Sequence, residues 1–339
     1  MSRMLVGLTG LTLLAAGCTS PEQESNASLP VQDSLAWYDA RILEDPLSPE
    51  GYAQRAGYHL RREEWGAAVD DLALAVQADS TRVEDRQTLG DLRFDLRDFE
   101  GAVREWEGIL TVNPAHTPAL LSLARMDLLL RAYDPALKRI NSALQVEERL
   151  DEAYFLKGRL YLETGDTAKA ASSFQTAAEV NPLRYDAFIQ LGLLFASADD
   201  DLALEYFRTA KALRPNSIEA LYDEAIYLQE HAASAPDRYE AALALYDQIL
   251  ELDSTNASAA FNKGFIYLEY LGEYSRAEQW FDEAIARLPY YHQAHYNRGL
   301  ALESQGRSEE ALAAYDAALS LEPTYTPAAL AKGRVLSAR

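Results

Sequence analysis

From residue 49 to residue 323 the apolar positions fall into short stripes with helical spacing, and two kinds of stripe alternate. The second kind carries a beat. A small residue is followed four places later by a large one, three places after that by another small one, and five further on by a closing residue. Residues 309–323, EEALAAYDAALSLEP, show it as Ala311, Tyr315, Ala318 and Pro323. A spacing of four and then three keeps side chains on one face of an α-helix. Small residues let two helix axes approach, and the large residue fills the space beside them. Proline cannot continue a helix interior, so it closes the stripe.

The closing position falls at Pro46, Ser80, Pro114, Glu148, Pro182, Pro215, Ser254, Pro289 and Pro323, in steps of 34, 34, 34, 34, 33, 39, 35 and 34 residues. Each unit has a small residue in its first stripe: Ala56, Gly90, Ala124, Gly158, Gly192, Ala225, Gly264 and Gly299. Each has an alanine early in its second, from Ala68 through Ala203 to Ala311, with a large residue four places later, such as Leu72, Trp106, Phe207 and Tyr315. HAASAPDRY (231–239) lengthens the sixth unit, and DDD (199–201) marks a shortened turn in the fifth.

A period of 34 with this signature resembles the tetratricopeptide repeat, a pair of antiparallel helices. The resemblance implies an all-α fold, an α-solenoid wound as a right-handed superhelix. Its eight repeats would run over about 49–82, 83–116, 117–150, 151–184, 185–217, 218–256, 257–291 and 292–325. Residues 34–46 read as a lone second-type helix before the array, and 326–339 as a lone first-type helix after it, so the solenoid would occupy 34–339. No such unit buries its faces alone; stability is a sum of intrinsic and nearest-neighbour terms.

Charge narrows the partners. Lys and Arg number 31 against 53 Asp and Glu, a net charge of -22, which argues against nucleic acid. It also argues against attachment to anionic lipid through a basic patch. The single cysteine, Cys18, excludes an intrachain disulfide. It follows MSRMLVGLTGLTLLAAG, with a cationic start and an apolar run too short to span a bilayer. This segment resembles a bacterial lipoprotein signal; an ordinary secretory peptide is the alternative. The resemblance implies that 1–17 are removed, that Cys18 carries acyl chains, and that 18–33 form a polar tether. Thr19 after the cysteine implies sorting to the outer membrane, facing the periplasm.

Little sequence is left for catalysis. There is no nucleophile elbow, phosphate loop, dinucleotide fingerprint or zinc spacing, so neither an enzyme nor a cofactor is expected. His292 and His295 sit three apart at a helix start, but no third ligand accompanies them, and they read as surface or turn residues. Glu63–Glu64 and Glu309–Glu310 read as solvated acids near turns.

In tetratricopeptide proteins the first helices line a concave groove that holds peptides. By that resemblance, groove residues lie three and two places before the small first-helix residue and one after it. The expected set is Phe155 and Arg159; Ile189, Gln190 and Leu193; Tyr222, Asp223 and Ile226; Phe261, Asn262 and Phe265; and Tyr296, Asn297 and Leu300. The groove would be small, polar or charged in the first two units and apolar and aromatic from the fifth onward. Amides such as Gln190, Asn262 and Asn297 would pair with a peptide backbone. The alternative is that the aromatics pack within the solenoid. Together these features lead us to expect a membrane-anchored scaffold that captures a peptide or helix segment for a cell-envelope complex. A periplasmic glycan or peptidoglycan-fragment binder, stacking sugars on Tyr and Phe faces, is the alternative.

Overall fold

The computed structural model describes residues 33–232, 235 and 237–338. Cys18, the leader and most of the tether lie outside them. The chain divides into two compact units, Met1–Arg97 and Asp98–Arg339, so the boundary falls inside the second repeat.

The described residues form eighteen α-helices and no strand. The first unit contains α1 (Leu35–Glu44), α2 (Pro49–Arg61), α3 (Trp65–Ala78) and α4 (Val83–Asp95). The second begins with α5 (Phe99–Val112), α6 (Thr117–Leu129), α7 (Tyr133–Val146), α8 (Asp151–Glu163) and α9 (Thr167–Val180). It continues with α10 (Tyr185–Ala196), α11 (Leu202–Leu213), α12 (Ile218–Glu230), α13 (Asp237–Leu252) and α14 (Ala257–Phe265). It ends with α15 (Tyr274–Arg287), α16 (His292–Ser304), α17 (Ser308–Leu321) and α18 (Thr326–Ser337). Both units have the expected all-α, helix-pair architecture: the first pairs α2 with α3 after the single helix α1, the second pairs α6 with α7 through α16 with α17 and ends on the single helix α18, and α4 and α5, the helices of the second repeat, fall on either side of the boundary.

The small–large beat has a direct geometric cause. Within a repeat, the large residue of the second helix lies flat on the small residue of the first. A Cβ on Gly192 would stand 2.4 Å from the Phe207 ring, one on Gly158 2.6 Å from Phe174, and one on Gly299 2.4 Å from Tyr315. Phe174, Phe207, Phe281 and Tyr315 are all fully buried. Where the large residue is aliphatic, as with Leu72 and Ile140, the first-helix residue is alanine, Ala56 and Ala124. Core clusters then run from one repeat into the next, one joining Ala203, Phe207 and Leu221 to Tyr246 and Ala259.

Turns repeat as faithfully as helices. Between the first and second helix, one residue adopts a left-handed backbone: Glu63, Arg97, Arg131, Gly165, Asp199, Gly272 and Gly306. Between several repeats an Asp or Asn caps the outgoing helix and its carboxyl or amide oxygen accepts an N–H two residues on, as in Asn113 with Ala115 at 3.1 Å and Asn181 with Leu183 at 3.0 Å; Glu147, Arg214, Leu288 and Glu322 hold that place elsewhere. The residue skipped in between needs no N–H, which is why Pro114 and Pro182 fit there.

Each departure from the 34-residue step has a local origin. The sixth repeat gains residues in two places, in a wider spacing between the end of α12 at Glu230 and the start of α13 at Asp237, and in α13 itself, which starts two residues earlier than usual; the sequence pattern placed the gain in the turn alone. In the fifth, the lost residue does fall after Asp199. The turn itself is not short, however: it covers 197–201, and α11 begins only one residue before Ala203, where α9 begins three before Ala170. The step of 35 comes from a π-helical turn, Ile266–Tyr270, closed by Leu271 N–H donating to Ile266 O at 3.1 Å. That turn inserts one residue into the first helix of the seventh repeat.

A second periodic feature ties neighbours together. The residue after the large position pairs with the residue before the next small position, sixteen places on. Asp39 accepts from Arg55 at 2.7 Å, Asp282 from Arg298 at 2.5 Å, Asp247 from Lys263 and Asp316 from Lys332. At α11 and α12 the polarity is reversed: Arg208 donates to the buried Glu224 at 3.2 Å. Partly exposed pairs of this kind contribute modestly to stability. Lys263, buried and seated 3.6 Å over the Trp280 ring, is the strongest of them.

The ring-on-glycine contact gives the first prediction. Gly192→Ala gains about 1 kcal/mol of helix propensity but drives a methyl into Phe207, an overpacking cost of roughly 1–3 kcal/mol. Urea unfolding should show Gly192→Ala destabilised, and the same change neutral or stabilising once Phe207 is leucine. Gly66→Ala, with open space around the new Cβ, should stabilise in either background.

Candidate functional site

The first helices of the fourth to eighth repeats, α8, α10, α12, α14 and α16, each turn one stripe away from their second-helix partner. On α12 the buried face carries Ala220, Leu221, Glu224, Ala225 and Leu228. Tyr222 is half-buried with its ring 6.1 Å from Tyr246 of the partner helix, whereas Asp223 and Ile226 are half-buried and Glu230 is exposed, so the open stripe runs through Glu219, Asp223, Ile226 and Glu230.

The row three before the small residue is largely covered by the chain itself. The covering group is the N-cap residue of the next first helix. Arg184 lies 4.3 Å over the Phe155 ring, Tyr291 stands 4.9 Å from Phe261, and Tyr325 stands 5.4 Å from Tyr296. Arg184 is held in place by Asp151 at 2.7 Å and by Glu152. Ile189, in the same row, is 3% exposed and belongs to the core with Tyr185 and Ala210. These capping rings and Arg184 are contributors the sequence reading missed. Their signal was available: each stands two places after a closing proline, Pro182, Pro289 or Pro323.

The row two before it does not form an open ladder of amides. Asn262 is 8% exposed and its Nδ2 donates to the Tyr222 hydroxyl at 3.0 Å. Asn297 is 7% exposed and donates to the Gln293 carbonyl in its own helix at 2.8 Å. Gln190 is half-buried. Asn262 thus links two neighbouring first helices, while Asn297 is spent within its own helix. Ile189, Asn262 and Asn297 therefore lie in the packing and not on the open stripe.

Asp223 is different. It shares that row, is half-buried, and its carboxylate has neither a hydrogen bond nor an ion pair with a described residue. Burial pushes its carboxyl up to about 6, and Glu219 one turn earlier adds to the rise. Glu219 itself is engaged, accepting from the Tyr185 hydroxyl at 2.9 Å. Elsewhere buried carboxylates have cations. Asp71 accepts from Arg55 at 2.6 Å, and Lys211 lies 2.6 Å from Glu224.

The row one after the small residue is the open one. Leu193 is 44% exposed, and Ile226, Phe265 and Leu300 are half-buried, giving an apolar line along α10, α12, α14 and α16. Phe265 is flanked by Phe261 at 6.3 Å and by Tyr270 of the π-helical turn at 5.9 Å. In the fourth repeat the line gives way to Arg159, exposed and 3.6 Å from Glu163.

The two histidines do not form a metal site. His295 Nε2 bonds to the Pro289 carbonyl at 3.1 Å, and the His292 ring packs edge-on against Tyr325. Among the described residues there is no group of three metal-ligating side chains, and no helix is long and apolar enough to cross a membrane.

Comparison with known proteins agrees with this geometry. Two models described as tetratricopeptide repeat match the chain, one at residues 155–218 and 231–292 and the other at 292–325. The chain carries tetratricopeptide repeats over those segments. It is 26% identical over 63% of its length to anaphase-promoting complex subunit 3 of Schizosaccharomyces pombe, covering 31% of that protein. It is 25% identical over 65% of its length to DnaJ homolog subfamily C member 3 of Gallus gallus, covering 48% of it. The chain thus spans less than half the length of either relative. Among solved structures, it resembles YrrB, described as a tetratricopeptide protein with an unusual peptide-binding site. The identity there is 19%, over 67% of this chain and 97% of that one, with a TM-score of 0.40.

Asp223 yields a stability prediction. Its carboxyl binds a proton more tightly folded than unfolded, so stability falls as pH rises from about 4 through about 6. Allowing for solvent screening of a half-exposed group, Asp223→Asn should stabilise by about 1 kcal/mol at pH 7.5. The advantage should shrink below pH 6 and vanish near pH 4, as read from urea midpoints across that range.

Proposed function

We propose that this chain is a scaffold that captures an extended protein segment along the apolar line of Leu193, Ile226, Phe265 and Leu300. One observation carries the reading: four successive first helices present an apolar residue at the same register position, and among the described residues no cap residue packs over this line as Arg184, Tyr291 and Tyr325 pack over the row beside it. With first helices about 9 Å apart, the line is on the order of 27 Å long, the reach of about eight extended residues. Apolar side chains about 9 Å apart suit roughly every third side chain of such a segment, at about 3.3 Å per residue. Sugar stacking is less favoured, because the flat faces it would use on Phe261 and Tyr296 already meet tyrosines of the same chain.

The same proposal places the scaffold at a membrane. The apolar run before Cys18 supports lipidation of that cysteine, and the polar residues after it support a tether. Several acyl chains hold a protein at a bilayer far better than one, at about 0.8 kcal/mol per buried CH2. The role that follows is assembly or regulation of an envelope complex, at the periplasmic face of the outer membrane.

Two measurements test this reading. In-cell crosslinking should recover protein partners with the wild-type chain and lose them with Leu193→Ala combined with Phe265→Ala, provided circular dichroism shows the variant folded. Undiminished crosslinking by that folded variant refutes the groove. Independently, Cys18→Ser should move the protein from the membrane fraction to the soluble one; retention in the membrane refutes the lipid anchor.

A further inference from the structure

The groove carries one feature that an apolar segment does not explain. Asp223 stands on α12 beside Tyr222 and one turn before Ile226, on the stripe that faces away from the partner helix. Its row neighbours on the flanking helices are Gln190 and Asn262. Asn262 has its donor on Tyr222, and the basic residues near this end of α12, Arg208 and Lys211, are committed to Glu224 on the opposite face. Among the described residues, none therefore pairs a cation with Asp223. Asp71 and Glu224, both more deeply buried, each have an Arg or Lys.

A half-desolvated carboxylate without a cation is a net cost to the folded chain. The cost is reduced when a bound segment supplies a cation for which Asp223 is the counter-charge. The surroundings are suited to one. Tyr222 and Ile226 give an apolar and aromatic flank along which the stem of a long cationic side chain can lie, and ring faces attract cations. The chain's charge of -22 draws basic segments and repels acidic ones.

Resting on the groove reading above, we propose that the captured segment places a lysine or arginine side chain on Asp223, which selects basic over neutral segments and fixes their register along the apolar line. The contact is an ion pair at the centre of the groove, between the pockets at Leu193 and Phe265.

The test uses the whole chain and a phage-displayed library of random 12-residue peptides. Selection on the wild-type chain should yield apolar peptides with a basic residue at a fixed distance from an apolar anchor. For such a peptide, Asp223→Asn should weaken binding about tenfold, or about 1.4 kcal/mol. Changing the peptide's basic residue to glutamine should cost the same, and the two changes together little more than either alone. Glu179→Gln, which removes the same charge from the exposed surface of α9, should leave affinity unchanged. Selected peptides that bind Asp223→Asn as tightly as wild type, or that lose equally with Glu179→Gln, overturn the ion pair while leaving the groove reading intact. Peptides that also ignore Leu193→Ala with Phe265→Ala overturn both, as does a library that yields no binder.

Discussion

An aromatic ring lying on a residue with no side chain is the contact on which the rest of this structure depends. Phe207 on Gly192 and Tyr315 on Gly299 bring the two helices of a repeat to a distance that a methyl group would forbid. The same ring reaches forward, so Phe207 also packs with Leu221 and Ala225 of the next first helix. One residue per repeat thus closes its own pair and offers the surface for its neighbour. Remove it, and both the intrinsic and the neighbour terms of a solenoid's stability are lost together.

Because that contact is local, the chain tolerates irregularity between one contact and the next. The lost residue after Asp199, the gain between α12 and α13 with the early start of α13, and the extra residue in the π-helical turn all fall in consecutive repeats. None displaces a ring from its small partner: Phe281 still lies 2.8 Å from where a Gly264 Cβ would be. The insertions instead change what surrounds the groove. The π-helical turn sets Tyr270 against Phe265, and the lengthened α13 supplies Tyr239, which stacks on Tyr270 at 4.7 Å. Departures from period have built an aromatic wall beside the open line.

The fold was legible because its determinants repeat. Small, large and closing positions are readable in one dimension, and eight copies in register fix the helix pairs, both end helices and the places where the period fails. The site was only partly legible. Register put the +1 row, Leu193, Ile226, Phe265 and Leu300, on the groove, and in the structure Leu193 is exposed and the other three are half-buried. Register could not show that Asn262 is turned onto Tyr222, or that Tyr291 and Tyr325 cover Phe261 and Tyr296. Those contacts join residues about one repeat apart, and depend on how closely two first helices approach. The sixteen-residue ion pairs were in principle readable, since Asp247 with Lys263 and Asp282 with Arg298 recur at one spacing. The reversal at Arg208 and Glu224 shows that the pair matters more than its polarity.

A solenoid also explains how an uncompensated charge can persist at Asp223. In a globular core, a buried unpaired carboxylate weakens the single cooperative unit. Here stability is summed over neighbours, so the strain is confined to the interfaces around α12 while the glycine–ring contacts on either side stay whole. The local deficit and the open apolar line fall on the same helix, and each is relieved by the same event, the arrival of a segment with apolar side chains around a cation. On the proposed reading, binding and stability are then coupled: what occupies the groove reduces the cost that Asp223 imposes on the interfaces around α12.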